Sequence, residues 1–336
     1  MARVLVLGGT RFIGRATVEH FRGAGYDVTT FTRGNRPDPF VDDPRVDHVT
    51  GDRTDDATVR ELSSRVEPNV VVDCIAYHPD AVRTATEAFA DVDAYIYVSS
   101  SGVYPEDLNP KREGETRIRS CTPEQAVDDA QRTYANRKAE GDRAVFDAAE
   151  RGVDAMVVRP CLVYGPHDYT ERLNYWIDRV DRFDRIVVPG DGQHLFHRVY
   201  VRDLARAFRL VAERGTPGTA YNAGDRHLEG TDALVETIAT VLDRDVELVH
   251  VLARELAAGD LSIDDFVCYR DYTHVLSTER LARLGWTSTP FGDAIADTVE
   301  THFEHDVGPG KHGFSRDQER AVLDHVDRGV RTDLDQ

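Results

Sequence analysis

The sequence predicts a doubly wound, parallel α/β sheet with a smaller, discontinuous carboxyl-terminal lobe. Three observations carry this expectation. Short apolar runs recur at residues 3–7, 27–32, 70–75, 94–99 and 154–160. Helical stretches such as Ile13 to Arg22 and Ala81 to Ala90 separate several of them, the alternation that builds βαβ units. A glycine cluster, Gly8-Gly9-Thr10-Arg11-Phe12-Ile13-Gly14, follows the first run directly. Runs such as Val70-Val71-Val72 suit strands covered on both faces. In such a sheet a ligand sits at the carboxyl ends of the strands, beside the switch in strand order.

The first run ends Leu5-Val6-Leu7 and passes through the glycine cluster into a helix. A strand, a tight turn and a helix amino terminus aim backbone N–H groups and the positive end of a helix dipole at a pyrophosphate. Gly8 permits the turn, Gly9 allows close approach, and Gly14 lets the helix pack on the strand. The expectation is a Rossmann-type dinucleotide site. At the end of the second run, near Thr32, an NAD-selective site usually has a carboxylate for the ribose 2′-hydroxyl. No acid stands there; Arg33, Arg36 and Arg11 instead offer guanidinium forks for a 2′-phosphate, so NADP(H) is favoured over NAD(H).

Tyr95 to Val98 leads into Ser99-Ser100-Ser101, hydroxyls placed at the ligand edge of such a sheet. Tyr134-Ala135-Asn136-Arg137-Lys138 precedes a helical stretch from Ala139 to Ala149. A spacing of four sets phenol and ammonium on one helix face, where the ammonium favours the phenolate electrostatically. Such a tyrosine exchanges a proton with a substrate oxygen while a nicotinamide moves hydride. Only Lys111, Lys138 and Lys311 are lysine among 41 basic residues, so a chain that otherwise uses arginine places a compact ammonium here.

These motifs resemble the extended short-chain dehydrogenase/reductases, the NAD-dependent epimerase/dehydratase family. The glycine turn is similar to that family's G-x-x-G-x-x-G, with Arg11 where the middle glycine stands, a form that looks like an atypical subgroup including relatives of chloroplast stem-loop RNA-binding proteins. The resemblance implies that Asp52, followed by Arg53, holds the adenine end of the cofactor, and that Ala76 is the small residue over which it lies. It implies Ser100 as the catalytic Ser/Thr, with Ser99 and Ser101 as alternative registers, and Tyr134 and Lys138 as its partners. Arg159-Pro160, Val163 to Pro166, Val199 to Ala205, Tyr221 to Gly224 and Leu284 to Trp286 extend the match, with Pro160 near the nicotinamide. The implied activity is reversible hydride transfer at a hydroxyl or carbonyl of a sugar, nucleotide sugar or similar molecule, as an epimerase or reductase. Nucleotide-sugar dehydratases carry an acidic pair after the catalytic Ser/Thr; here Ser101 and Gly102 follow, which disfavours dehydration. In nucleotide-sugar epimerases an arginine before the later strand-to-helix entry binds the substrate diphosphate. Phe196 aligns with it, leaving Arg198 or Arg202 as candidates. The alternative function is a cofactor-binding relative that acts on RNA or protein without catalysis.

The expected domains are residues 1–160 for the cofactor, with 196–225 returning to it, and 161–195 plus 226–336 for a substrate lobe and tail. No apolar stretch approaches the roughly 20 residues needed to span a bilayer, and Arg3 to Leu7 begins a strand, so a soluble, cytoplasmic protein is expected. Four scattered cysteines form no disulfide framework, and His302 and His305 lack a third ligand, so no metal is expected. The formal charge of −19 repels polyanions, leaving a small-molecule substrate as the expected partner, with a homodimer allowed. Acid-rich, lysine-poor composition resembles that of salt-accumulating halophiles.

Overall fold

A computed structural model describes residues 2–105, 108–270 and 272–334. The chain divides into two compact units, the first comprising Met1–Val163, Val199–Arg226 and Leu276–Ser288, the second Tyr164–Arg198, His227–Val275 and Thr289–Gln336.

The first unit is built on a seven-stranded sheet in which every neighbouring pair is parallel. Its strands are β1 (Arg3–Leu7), β2 (Asp27–Thr32), β3 (Val46–Thr50), β4 (Val70–Asp73), β5 (Ala94–Val98), β6 (Ala155–Pro160) and a final strand, Ala220–Ala223. The spatial order is final strand, β6, β5, β4, β1, β2, β3. Order therefore reverses between β1 and β4, whose carboxyl ends are in register at Leu7 and Asp73. That reversal is where an open α/β sheet leaves a ligand crevice. β3 has no counterpart among the predicted runs. It is an edge strand with only Val46 and Val49 apolar, too little for a hydrophobic run to reveal.

Alternate strand residues supply two cores. Val4, Val6, Val28, Val72, Ile96 and Val98 meet α1 (Phe12–Gly23) and the helix Val201–Arg214 through Val18, Phe21, Leu204 and Phe208. Leu5, Leu7, Phe31, Val71, Tyr95 and Tyr97 face the other way, toward α2 (Asp56–Val66), α3 (Pro79–Ala88) and α5 (Tyr134–Glu150). A short α4 (Pro123–Val127), closed by a Thr122/Gln125 capping box, precedes α5. Two-faced burial explains why these strands are nearly continuous in apolar residues.

The sequence reading put the Tyr134–Lys138 motif ahead of a helix; the structure puts it inside, with α5 starting at Tyr134. It also grouped Leu276–Ser288 with the second unit. This segment instead returns to the first, where Leu281 and Trp286 are buried and the Trp286 indole donates to the Asp203 carbonyl at 3.0 Å.

The second unit holds the helices Asn174–Arg182, Thr231–Val241, Phe291–Glu304 and Arg316–Leu334, and a parallel pair of strands, Arg185–Pro189 with Glu247–Val251. Buried Glu319 binds it together, accepting from Arg179 and from the Val187 amide, each at 3.0 Å. Among the described residues no helix is long and apolar enough to cross a membrane, and no cluster of three or more His, Cys, Asp or Glu could hold a metal ion.

Candidate active site

The turn after β1 is shaped by what cannot fit. Gly8 has φ +92°, and a Cβ there would lie 2.4 Å from Ile75 Cγ2. A Cβ on Gly9 would lie 2.6 Å from Thr30 Cγ2, and one on Gly14 would lie 2.0 Å from the Gly8 carbonyl oxygen. The loop thus closes on itself only without side chains at these positions. Arg11, by contrast, sits at φ −136° and ψ 147°, extended backbone that any residue adopts. The middle glycine of the pattern is not conformationally required in this chain. Phe12 is buried at φ +33°, with Thr10, Arg11 and Ile13 half-buried around it. No acidic residue lies in the first turn of α1, so the positive end of its dipole is not neutralised locally. A cradle of glycines ending at such a helix terminus fits a pyrophosphate.

At the end of β2 the Thr32 hydroxyl accepts from the Gly34 amide at 3.2 Å and lies 3.1 Å from His48 Nε2. Arg33 and Arg36 are exposed just beyond. A carboxylate that sequence reasoning did not count, Asp38, reaches within 3.7 Å of His48 Nδ1. It stands six residues past Thr32 and is brought back by the loop, so spacing along the chain hides it. Exposed Asp52 accepts from the amide and hydroxyl of Thr54 at 2.9 and 2.8 Å, and those bonds, with nearby Arg33, hold its carboxyl below the usual range. Arg53 is buried, one terminal nitrogen donating to Asp73 at 2.9 Å and to the Ala81 carbonyl, while its Nε and other terminal nitrogen make no hydrogen bond.

Asp73, at the end of β4, is a second residue that sequence reasoning missed. Fully buried, it accepts from Arg53, from the Tyr95 phenol at 2.9 Å and from the amides of Ile75 and Ala76 at 3.2 and 3.0 Å. Those bonds fold the turn that presents the Ala76 carbonyl. A lone aspartate closing an otherwise apolar strand was the available signal.

Lys138 meets that turn. Its ammonium donates to the Ala76 carbonyl at 2.9 Å and to the Val98 carbonyl at 2.8 Å, bridging the ends of β4 and β5. Three phenol rings surround it, Tyr97 at 4.7 Å, Tyr77 at 5.2 Å and Tyr134 at 5.9 Å from Nζ to ring centre. Gly141 allows this, since a Cβ there would lie 2.5 Å from the Tyr97 oxygen. Burial lowers the Lys138 pKa to about 8, while the carboxylates of Asp73 and Asp142 oppose that fall. At neutral pH the ammonium is charged, close enough to Tyr134 to favour its phenolate.

Ser99 and Ser101 are buried and Ser100 is half-exposed. Ser100 Oγ caps a short 3₁₀ turn, accepting from the Gly102 amide at 3.1 Å. A Cβ on Gly102 would lie 3.4 Å from Ser100 Oγ and 3.7 Å from Ala135 Cβ, so Gly102 stands next to both the hydroxyl and the first turn of α5. Ala76 and Pro160 are both buried at strand ends of this sheet. Below them Arg159 donates to Asp142 at 2.8 Å and to Tyr104 at 2.7 Å, and Tyr104 donates to Asn222 at 2.8 Å, a buried chain that fixes α5 to β6 and the final strand. In the second unit, Arg198 is buried and donates to the Glu229 carbonyl at 3.0 Å.

Residues 4–224 match the model of the NAD dependent epimerase/dehydratase family. Among curated proteins, the chain is 28% identical over 299 residues to chloroplast stem-loop binding protein of 41 kDa b from Arabidopsis thaliana, covering 84% of this chain and 74% of that one. It is 25% identical over 336 residues to low-salt glycan biosynthesis protein Agl12 from Haloferax volcanii, covering 90% and 99%. Among solved structures, dTDP-glucose 4,6-dehydratase from Bacillus anthracis in complex with NAD superposes with a TM-score of 0.72 at 19% identity, covering 91% and 98%. With the family match spanning the whole glycine turn, the serine run and the Tyr134–Lys138 pair, the chain belongs to the NAD dependent epimerase/dehydratase family.

Proposed function

We propose that this protein catalyses reversible hydride transfer at a hydroxyl or carbonyl carbon of a nucleotide sugar or similar small molecule, as an epimerase or reductase. The observation that carries the reading is the Lys138 ammonium, fixed on the Ala76 and Val98 carbonyls beside Tyr134, at the strand ends next to the glycine turn. A bound nicotinamide dinucleotide supplies the hydride donor or acceptor. The turn Gly8–Gly14 and the amino terminus of α1 would hold its pyrophosphate, with Ala76 and Pro160 supporting its nicotinamide end and Asp52 with Arg53 its adenine end. Lys138 spends two of its three protons on carbonyls and keeps one for a ribose hydroxyl. Tyr134 takes the proton from a substrate hydroxyl as the carbinol is oxidised and returns it on reduction, with Ser100 hydrogen-bonding the same oxygen. Ser101 and Gly102 follow Ser100, so the chain offers no acid there to eliminate water, which supports epimerisation or reduction over dehydration.

For the cofactor, exposed Arg33 and Arg36 beyond Thr32 support NADP(H). The relative from Bacillus anthracis carries NAD, so the affinity ratio is the test. Wild type is expected to bind NADPH more tightly than NADH, and Arg33→Ala to narrow the gap; equal affinities unchanged by the substitution contradict the preference. The acid-rich, lysine-poor composition supports a salt-rich cytoplasm as the working medium. The decisive assay is purified protein in molar salt with NAD(H) or NADP(H) and UDP-glucose or dTDP-glucose, followed by epimer analysis and cofactor absorbance. Turnover supports the reading, and its absence with both sugars and with simple carbonyls contradicts it.

The Arabidopsis relative is named for stem-loop binding, which favours a second reading, a cofactor-binding relative that acts on RNA or protein without catalysis. A formal charge of −19 opposes RNA, and no retention of stem-loop RNA at moderate salt is the expected result.

A further inference from the structure

Tyr77 stands immediately after Ala76, past the carboxyl end of β4, at the side of the sheet where strand order reverses. Its backbone is clamped by two consecutive residues of α5. Lys138 donates to the carbonyl of Ala76 at 2.9 Å, and buried Arg137 donates to the carbonyl of Tyr77 at 3.1 Å and, through its other terminal nitrogen, to that of Ala130 at 3.2 Å. Backbone so held is the stiff mounting expected of a group that must be placed and not merely tolerated. The side chain on this mounting is nevertheless 44% exposed. Its ring centre lies 6.5 Å from that of Tyr134, the planes tilted by 47°, and 5.2 Å from the Lys138 ammonium. One region of the ring is therefore turned to the proton-handling pair while much of the remainder is open. Single exposed aromatics are ordinary on protein surfaces. Here the ring borders the phenol around which the substrate's reacting carbon must sit, on the ligand edge of the sheet.

We propose that Tyr77 is a positioning residue of this site, an aromatic wall on which the carbon skeleton of a sugar packs through its C–H face. The inference rests on the hydride-transfer reading above and adds to it a selectivity for substrates with a flat apolar face, such as a pyranose. Packing against the ring holds the sugar skeleton beside Tyr134 and contributes to binding equally before and at the transition state. Its loss is therefore expected in KM and not in kcat.

The test compares wild type, Tyr77→Phe and Tyr77→Ala, with UDP-glucose and dTDP-glucose as probes and cofactor affinity measured separately by titration with NADH and NADPH. Expected for Tyr77→Ala is a KM raised about tenfold with kcat nearly unchanged, and for Tyr77→Phe wild-type values, because the ring and not the hydroxyl makes the contact. A Tyr77→Ala enzyme with wild-type KM overturns the wall while leaving the hydride-transfer reading intact. Weakened NADH or NADPH binding with an unchanged sugar KM also overturns it, assigning the ring to the cofactor. A wild-type protein that neither binds nor turns over either sugar overturns the wall, and the absence of turnover with simple carbonyls as well overturns the hydride-transfer reading with it.

Discussion

The turn after β1 works through its backbone, whereas the pocket around Lys138 works through side chains gathered from three elements. In the turn, Gly8, Gly9 and Gly14 matter for the atoms they lack, and all lie within seven consecutive residues. In the pocket, Asp73 from the end of β4, Tyr97 from β5, and Lys138 and Asp142 from α5 are up to 69 residues apart and are brought together by the sheet. The difference teaches where each site is vulnerable. The turn should fail by steric exclusion at three positions and tolerate change at Arg11 between them. The pocket should fail through lost charge partners at a distance.

The largest effect expected from breaking this contrast is at Asp142. Asp142→Ala leaves the buried Arg159 guanidinium without its carboxylate, and stability should fall by about 3–5 kcal/mol, read from the denaturant midpoint. Gly14→Ala drives a Cβ into the Gly8 carbonyl; strain of about 1–3 kcal/mol should weaken NADPH binding by about 5- to 150-fold in a fluorescence titration. Asp73→Asn should shift the turn that presents the Ala76 carbonyl and remove negative charge near Lys138. The high-pH limb of kcat/KM should then move to lower pH, because a less supported ammonium releases its proton sooner. Smallest is Arg11→Gly. Its backbone is already extended, so restoring the family's middle glycine should change affinity for NADH, which has no 2′-phosphate, by less than about threefold, and a larger gain would show that the turn is strained after all.

The pH dependence has a definite sign. Lys138 titrates at about 8 in the folded protein against 10.5 as a free side chain. Between those values the unfolded chain binds more protons, so this residue makes stability rise with pH across that window. Activity should do the opposite. Once pH passes about 8 the ammonium that favours the Tyr134 phenolate is lost, and kcat/KM should decline.

The same contrast explains what could be read from the chain. Gly8 to Gly14 and Tyr134 to Lys138 are local patterns, so their residues and spacing were visible, and the buried strands announced themselves by apolar runs. β3 was invisible because an edge strand needs few apolar residues. Asp73 and Asp38 were missed because their partners are remote: Arg53 and Tyr95 for the first, His48 for the second. Arg53 was read as a cofactor contact because it follows Asp52; only folding shows its guanidinium turned inward. The resemblance pointed to Ser100 with Ser99 and Ser101 as alternative registers; burial, which sequence does not show, sets the three apart, with Ser99 and Ser101 buried and Ser100 half-exposed.

The central claim is that Tyr134, under the field of Lys138, carries the substrate proton. It is tested most directly by kcat/KM of Tyr134→Phe at saturating cofactor, with the cofactor dissociation constant measured alongside. A loss of about 10²- to 10⁴-fold with cofactor binding unchanged is the predicted result. Activity retained at the wild-type level would contradict the mechanism.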